Sequence, residues 1–480
     1  MLEIAVLAPE PLRARARYAL GELALRWGLP LRFVAPERAH VVYGGEPASV
    51  PPGALHWPCE PALYDAATSG APARDPSGRP LWLASGADAA RADLVAGAYR
   101  LLALLDEQGV AESQRDRRGI FPTNALPAPR RAVLDEPMVE HHAAALLERA
   151  LAHRPALAAS IVPRWPNGAR WAIALTHDVD AVHLGAPAEI ATNLAKRVLR
   201  GSREHGALAA LGLRHLGRPL ANPFFTFEAW REWESRRGLA SAFYVFHRPH
   251  GTRADVNDCK SSLATIAAPW EALRAIHDRG WEFGLHPSIH CKDTPGAFAA
   301  ARSWLEARLE RPVAGLRHHY WALDWRDPVR TWREHERAGF GYDSSIAWRD
   351  RAGMRAGTAL PYAPFDAGRG EPLRLLELPC VLMDGHVLLA DARGTRRSVE
   401  EAVRDGRALA GRVRACGGAL TLDWHGETAF DRLHLAGYLE TLGRILEPWL
   451  GGPDVWCATP AAIVAHWRER AARLAPAGAE

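Results

Sequence analysis

Residues 175 to 180, LTHDVD, place a histidine and two carboxylates directly behind the apolar run Trp171-Ala172-Ile173-Ala174. Crowding like charges at the end of a buried strand is costly unless a cation or a donor compensates. The stretch therefore calls for a metal ion, and the rest of the chain must supply its other ligands. GLHPSIH sets His286 and His290 four residues apart, a spacing that brings both imidazoles to one side of a helical turn. With 21 histidines in the chain that spacing alone is weak, but joined to Asp178 and Asp180 it gains force. Two neutral imidazoles and one carboxylate leave open positions on zinc or a similar divalent ion, which is how a catalytic site differs from a closed structural one. The two aspartates then divide the labour. One holds the ion, and the other takes a proton from the attacking water.

Positioning such groups falls to a strand-helix rhythm. Short apolar runs recur as WAIALT, SAFYVF, WEFGLH, AGLRHH, FGYDSS, LRLLELP, GALTLDW and VWCAT. Amphipathic stretches such as FEAWREWESRRG, PWEALRAIHDRG, DPVRTWREHERAG and SVEEAVRDGRALAGRVRAC lie between most of them. The alternation predicts an α/β fold whose main body, over 165–475, is a distorted (β/α) barrel of about seven strands. Each polar cluster ends an apolar run: Asp178 and Asp180, His286 and His290, Arg317 to Tyr320, and His425. In such a barrel those ends converge on one face, where catalytic groups sit. Before it, EIAVLA, LRFVA and HVVYG read as strands and EPLRARARYALGELALRWG as a helix, giving a smaller α/β unit over 1–125. GEPASVPPGA and GAPARDPSGRP read as loops within it, and ADAARADLVAGAYRLLALLDEQG as a helix. A helical linker over 126–164 joins the two parts.

LTHDVD, GWEFGLHPSIH, GLRHHYW and ALTLDWH, in this order on a barrel-like pattern, resemble the motifs of the polysaccharide deacetylase (NodB-homology) family, carbohydrate esterase family 4. The resemblance covers roughly residues 165 to 470, and the N-terminal part is similar to an accessory domain ahead of the barrel in some members. It implies that Asp178 is the general base and that Asp180, His286 and His290 hold the metal, zinc foremost. By the same resemblance Arg317 orients Asp178 through a bidentate fork, and His425 is the general acid. Two departures stand out. Val179 separates aspartates that are adjacent in the common form, and RHHYW replaces the usual proline-bearing third motif. Asp343, Asp384 and Asp423 are all candidates to orient His425, with Asp384 favoured for its place at a strand end. The implied activity is removal of an acetyl group from an N-acetylated sugar or polysaccharide precursor. Tyr320, Trp321 and Arg355 are candidate substrate contacts, Arg355 from a loop, GMRAGT with PYAPFD, read as covering the site. Trp325 and Trp424 are either sugar-stacking or core residues.

The 480 residues carry a formal net charge of only +4, and arginine supplies nearly all the positive charge. Basic and acidic residues are mixed, which argues against a nucleic-acid partner. The beginning of the chain does not read as a secretory signal, no run is long and apolar enough for a membrane span, and the six cysteines form no C-x-x-C pair. A cytoplasmic setting is the expectation, with no oligomeric state indicated. His141 and His142 read as solvated, His177 as pointing away from the site, and His247 and His250 as rim residues. The basic stretch 194–206 reads as a solvated helix face, a substrate lid, or a surface for a membrane or an acidic glycan. Rival functions are hydrolysis of a non-sugar amide on the same site, a non-catalytic glycan-binding or assembly protein, and a non-haem iron oxygenase. The full set of base, acid and ligand candidates disfavours the second, and the strand-helix alternation the third.

Overall fold

A computed structural model of the protein describes all residues except 69, 85–87, 89–91, 391–394 and 476–480, together with the side chain of residue 200. Four parallel strands form a small sheet: β1 (Leu2–Leu7), β2 (Leu31–Phe33), β3 (Val41–Gly44) and β4 (Leu55–Trp57), in the order β2-β1-β3-β4. GAPARDPSGRP, expected as a loop, is instead an antiparallel hairpin of β5 (Gly70–Arg74) and β6 (Pro80–Ala84). Its turn is built by Asp75, whose carboxylate accepts the backbone N–H of Ser77 and Arg79 at 2.9 Å, and by Gly78 at φ +84°. The helix expected over 87–109 runs from Leu94, capped by Asp93, to Leu102 and breaks at Leu104, which is left-handed at φ +55°; of the stretch expected before it, 87 and 89–91 lie outside the described residues.

The barrel strands are β7 (Trp171–Val179), β8 (Ala242–His247), β9 (Glu282–Pro287), β10 (Gly315–Leu316) and β11 (Tyr342–Asp343), each parallel to the next. A short hairpin of β12 (Phe365–Asp366) and β13 (Glu371–Pro372) stands off the wall. The wall resumes with β14 (Leu376–Glu377) and β15 (Leu382–Met383), two ends of one extended segment. At one end Leu378 N–H bonds to Asp343 O, and at the other Val381 N–H bonds to Thr421 O. That segment bridges β11 to β16 (Ala419–Asp423), which pairs with β7 and completes the circuit; β17 (Val455–Cys457) flanks the lower half of β7. All nine residues of β7 are buried, as expected for a central parallel strand covered on both faces.

The small sheet docks on the barrel through buried polar anchors as well as apolar packing. Arg26, fully buried and paired with Glu22 at 2.7 Å and Glu140 at 3.3 Å, donates through Nη2 to Thr358 Oγ1 at 3.3 Å. Tyr18 Oη donates to Ala363 O at 2.8 Å, and Arg470 Nε donates to Leu25 O at 3.0 Å. One large apolar cluster runs through both parts.

The helix Met138–His153 corrects one reading. His142 is not solvated but fully buried, its Nε2 accepting the Trp82 backbone N–H at 2.8 Å. Gly97 makes room for it, since a Cβ there would lie 2.6 Å from His142 Cε1. Burial, reinforced by His141, pulls the His142 pKa down to about 3. The folded state therefore favours the neutral ring, and the associated stability is complete above the unfolded value near 6.5 and is lost as pH falls below it. Between pH 7 and 5 this group should cost about 2 kcal/mol. Urea titrations should show that loss in the wild type and a flatter profile in His142→Gln, whose amide oxygen can accept the same N–H. Parallel profiles would exclude His142 as the source.

Candidate active site

Strand alternation at the end of β7 sends Thr176 and Asp178 inward and His177 outward. His177 is buried between Trp424 O at 2.6 Å and the Glu234 carboxylate at 2.8 Å, so it belongs to the outer packing layer. Thr176 Oγ1 donates to Leu422 O at 2.6 Å and accepts from Arg317 Nη1 at 2.5 Å. The same Nη1 lies 3.2 Å from Asp178 and 3.4 Å from Asp423. The guanidinium is not a bidentate fork on Asp178, because its Nε and Nη2 donate to the Ser344 carbonyl and hydroxyl at 3.1 and 3.0 Å. It is sandwiched instead, 4.6 Å from the Tyr244 ring and 5.4 Å from Trp321. Asp423 also accepts the Asp178 backbone N–H at 3.2 Å. Burial, added to by the Asp178 charge, pushes its pKa up to about 7, against the pull of His425 and Arg317.

Asp180 lies at the centre of the cluster. His286 Nε2 is 3.2 Å from Asp180 Oδ1, His319 Nε2 3.6 Å from Oδ2, and His425 Nε2 3.8 Å from Oδ2. The Cys259 thiol donates to Oδ1 at 3.5 Å. Burial would raise the Asp180 carboxyl pKa, but the imidazoles of His319 and His286 hold it well below the usual range. His286 shows the opposite balance: burial pulls it down, and Asp178 with Asp180 lifts it above its ordinary value. Burial raises the Cys259 thiol, and Asp180 raises it further.

His286 Nδ1–H donates to Arg317 O at 2.7 Å, which fixes the tautomer and leaves the Nε2 lone pair facing Asp180. Among the described residues that buried Nε2 has no hydrogen-bond partner. An orphaned imidazole nitrogen beside a carboxylate and a second imidazole is the donor set that a divalent cation satisfies. The metal-binding atoms of Asp180, His319 and Cys259 also lie within 4.8 Å of one another. The residues present therefore fit a metal.

Not every expected residue joins the cluster. His286 sits in the extended backbone of β9, while His290 sits in the helical turn Ile289–Asp293. The one-side argument for i and i+4 requires a continuous helix, so it does not apply. The His290 ring faces Asp255 and Asp293 at 3.4 Å each, and His319 takes the place beside Asp180 expected for it. Sequence did carry a signal for His319, since alternation along Arg317-His318-His319 puts the first and third on one side. No comparable signal pointed to Cys259.

His425 is held by Asp384, which accepts its backbone N–H at 2.8 Å and places both carboxylate oxygens 3.1 Å from Nδ1. Asp343 is occupied elsewhere, by Trp332 Nε1 at 2.9 Å and Ser345 Oγ at 2.5 Å. Burial opposes protonation of His425, yet Asp384 and then Asp423 raise its pKa well above the usual value.

A cavity of about 220 Å³ opens onto these groups, lined also by Ile120, Tyr320, Trp321, Arg349 and Met383. Tyr320 and Trp321 are both left-handed, at φ +59° and +53°, and this kink follows directly on His319. Tyr320 is half exposed beneath the Arg118 guanidinium at 4.8 Å, and Trp321 is buried against the wall. Arg355 is absent from the lining. It is buried with Nε and Nη2 on Glu107 at 2.8 and 2.7 Å and lies over Trp325 at 3.2 Å. Its loop, read from the sequence as covering the site, is instead bonded to the linker over 126–164, with Met354 N–H on Leu134 O and Val139 N–H on Gly357 O. Trp325 and Trp424 are core residues. His247 stacks on Trp304 with ring centroids 4.0 Å apart and is also outside the lining.

No family model matches the chain, and no curated protein matches it. Solved structures similar to it include one described as a polysaccharide deacetylase from Mycobacterium smegmatis, at 19% identity and TM-score 0.42 over 64% of this chain and 93% of that one. PuuE allantoinase matches at 15% identity and TM-score 0.41, over 64% and 93%. A structure described as a polysaccharide deacetylase from Pseudomonas aeruginosa PAO1 matches at 18% and 0.41, over 64% and 94%. Likeness at this level leaves the function to be read from the site itself.

Proposed function

We propose that the protein is a metal-dependent hydrolase that removes an acetyl group from an N-acetylated sugar or polysaccharide precursor. One observation carries the reading. Asp178, tethered by Arg317, and His425, tethered by Asp384, both border the cavity that Asp180, His286 and His319 share. A site that only binds has no use for a fixed base and a fixed acid beside a cation site.

A divalent cation held by Asp180, His286 and His319, zinc suiting this donor set best, would polarise the acyl carbonyl and acidify the attacking water. Asp178 removes the proton of that water as its oxygen attacks the carbonyl carbon. Arg317 holds Asp178 in place, and Thr176 holds Arg317. His425, oriented through Nδ1, gives a proton from Nε2 to the leaving nitrogen as the C–N bond breaks, and acetate and the free amine result. The cavity is smaller than most whole-ligand pockets, so it takes the acyl end while the sugar ring rests at the mouth by Tyr320.

Metal analysis of the purified protein, with acetate release from N-acetylated sugar oligomers, tests the proposal. About one divalent ion per chain together with acetate release is the expected result. Metal without acetate from any glycan would move the substrate to a non-sugar amide, and a metal-free, inactive wild type would sink the mechanism.

A further inference from the structure

We infer that the protein works against the surface of an anionic membrane, with its catalytic face turned to the lipid. Among the described residues eleven large apolar side chains are exposed. Six of them (Leu194, Val198, Leu199, Leu213, Leu216 and Leu220) lie in one helical hairpin and its exit, Pro187–Arg200 followed by Arg203–Arg214, inserted after β7. Two more, Val256 and Tyr320, lie in the loops that follow β8 and β10. All eight thus come after the C-terminal ends of barrel strands, the end that carries Asp178, His286 and His425. Val198 and Leu199, next to the hairpin turn at Gly201, are 80% and 83% exposed. Soluble proteins scatter such side chains singly, and their concentration on one side marks an interaction surface.

Charge decides among occupants. Arg197, Arg203, Arg214, Arg218 and Arg253, on the same segments, make no ion pair with a carboxylate among the described residues. Phosphate headgroups above acyl chains accept both halves of this surface, the guanidinium groups and the apolar tips. An acidic glycan would satisfy the arginines but leave Val198 and Leu199 in water. A two-fold contact between copies would set the same positive surface against itself.

The hairpin base is well fixed, so its tips are held out from the barrel. Asn222 Oδ1 accepts the N–H groups of Leu184 and Phe224 at 3.2 and 2.9 Å, and His183 Nε2 lies 3.2 Å from His215 O. Resting on the deacetylase reading, this surface makes the substrate a lipid-anchored acetamido sugar presented at headgroup level. The small cavity then receives the acyl end from a carrier that stays in the bilayer.

Co-sedimentation with vesicles tests the inference, using phosphatidylcholine alone and phosphatidylcholine with one-third phosphatidylglycerol. The wild type should pellet with the second and not the first, less so as salt is raised. V198D/L199D should lower that partition about tenfold or more. It should keep wild-type turnover of a soluble acetamido sugar and lose turnover of a lipid-anchored one in proportion to binding. His319→Ala should bind vesicles like the wild type, so membrane attachment and chemistry can fail separately. The inference is overturned if the wild type stays in the supernatant with both vesicles, or if V198D/L199D binds as well as the wild type. It is equally overturned if the substitutions abolish self-association seen by light scattering, or if only an acidic polysaccharide is bound.

Discussion

His319→Ala should strip the divalent ion and abolish turnover, whereas His290→Ala should leave both in place. The sequence resemblance implies the reverse for His290, so the pair is discriminating. His319 Nε2 lies 3.6 Å from Asp180, whose other oxygen faces the unpartnered Nε2 of His286 at 3.2 Å. Taking His319 away removes one of the two imidazoles proposed to share the ion with Asp180. Residues merely supporting metal ligands cost ten- to a hundredfold in metal affinity, so loss of a direct ligand should cost about a hundredfold or more. His290 is committed to Asp255 and Asp293 and can be spared. Metal content after dialysis, measured for both variants beside the wild type, checks this. Retention of metal by His319→Ala with its loss from His290→Ala would establish the ligand set implied by the motif instead.

The second large effect is on chemistry with the metal retained. Asp178→Asn keeps the size of the side chain and an oxygen toward Arg317 Nη1 but cannot accept a proton. A positioned general base is worth roughly 10²–10⁴ in rate, and kcat should fall by that order while metal content stays near wild type. Asp178 lies 3.8 Å from His286 Nδ1, the nitrogen already committed to Arg317 O, so its loss should not release the ion. Near-normal kcat in this variant would remove Asp178 as the base and leave Asp423, 3.4 Å from the same arginine nitrogen, as the carboxylate to examine. Loss of metal in Asp178→Asn would instead place Asp178 among the ligands.

Much of this architecture was legible because it is local. Every apolar run from WAIALT to VWCAT became a strand of the barrel sheet, since the period of the hydrophobic pattern and the helices between runs depend on near neighbours in the chain. With parallel strands in a barrel, the convergence of Asp178, Asp180, His286, Arg317 and His425 on one face followed. Where a reading required knowing which backbone shape joined two residues, it failed. His286 and His290 are four apart in the chain, but a strand ends between them.

Sequence by itself thus determined the barrel and the gathering of Asp178, Asp180, His286, Arg317 and His425 at one end of it. Only tertiary structure decided that Asp384 holds His425 across 41 positions, that Arg355 serves Glu107 across 248, and that Cys259 comes to rest against Asp180. The physical reason is common to all three. A buried charge or donor must find a partner, and the partner is whichever group the packing of distant segments brings within hydrogen-bond reach, which no local pattern encodes.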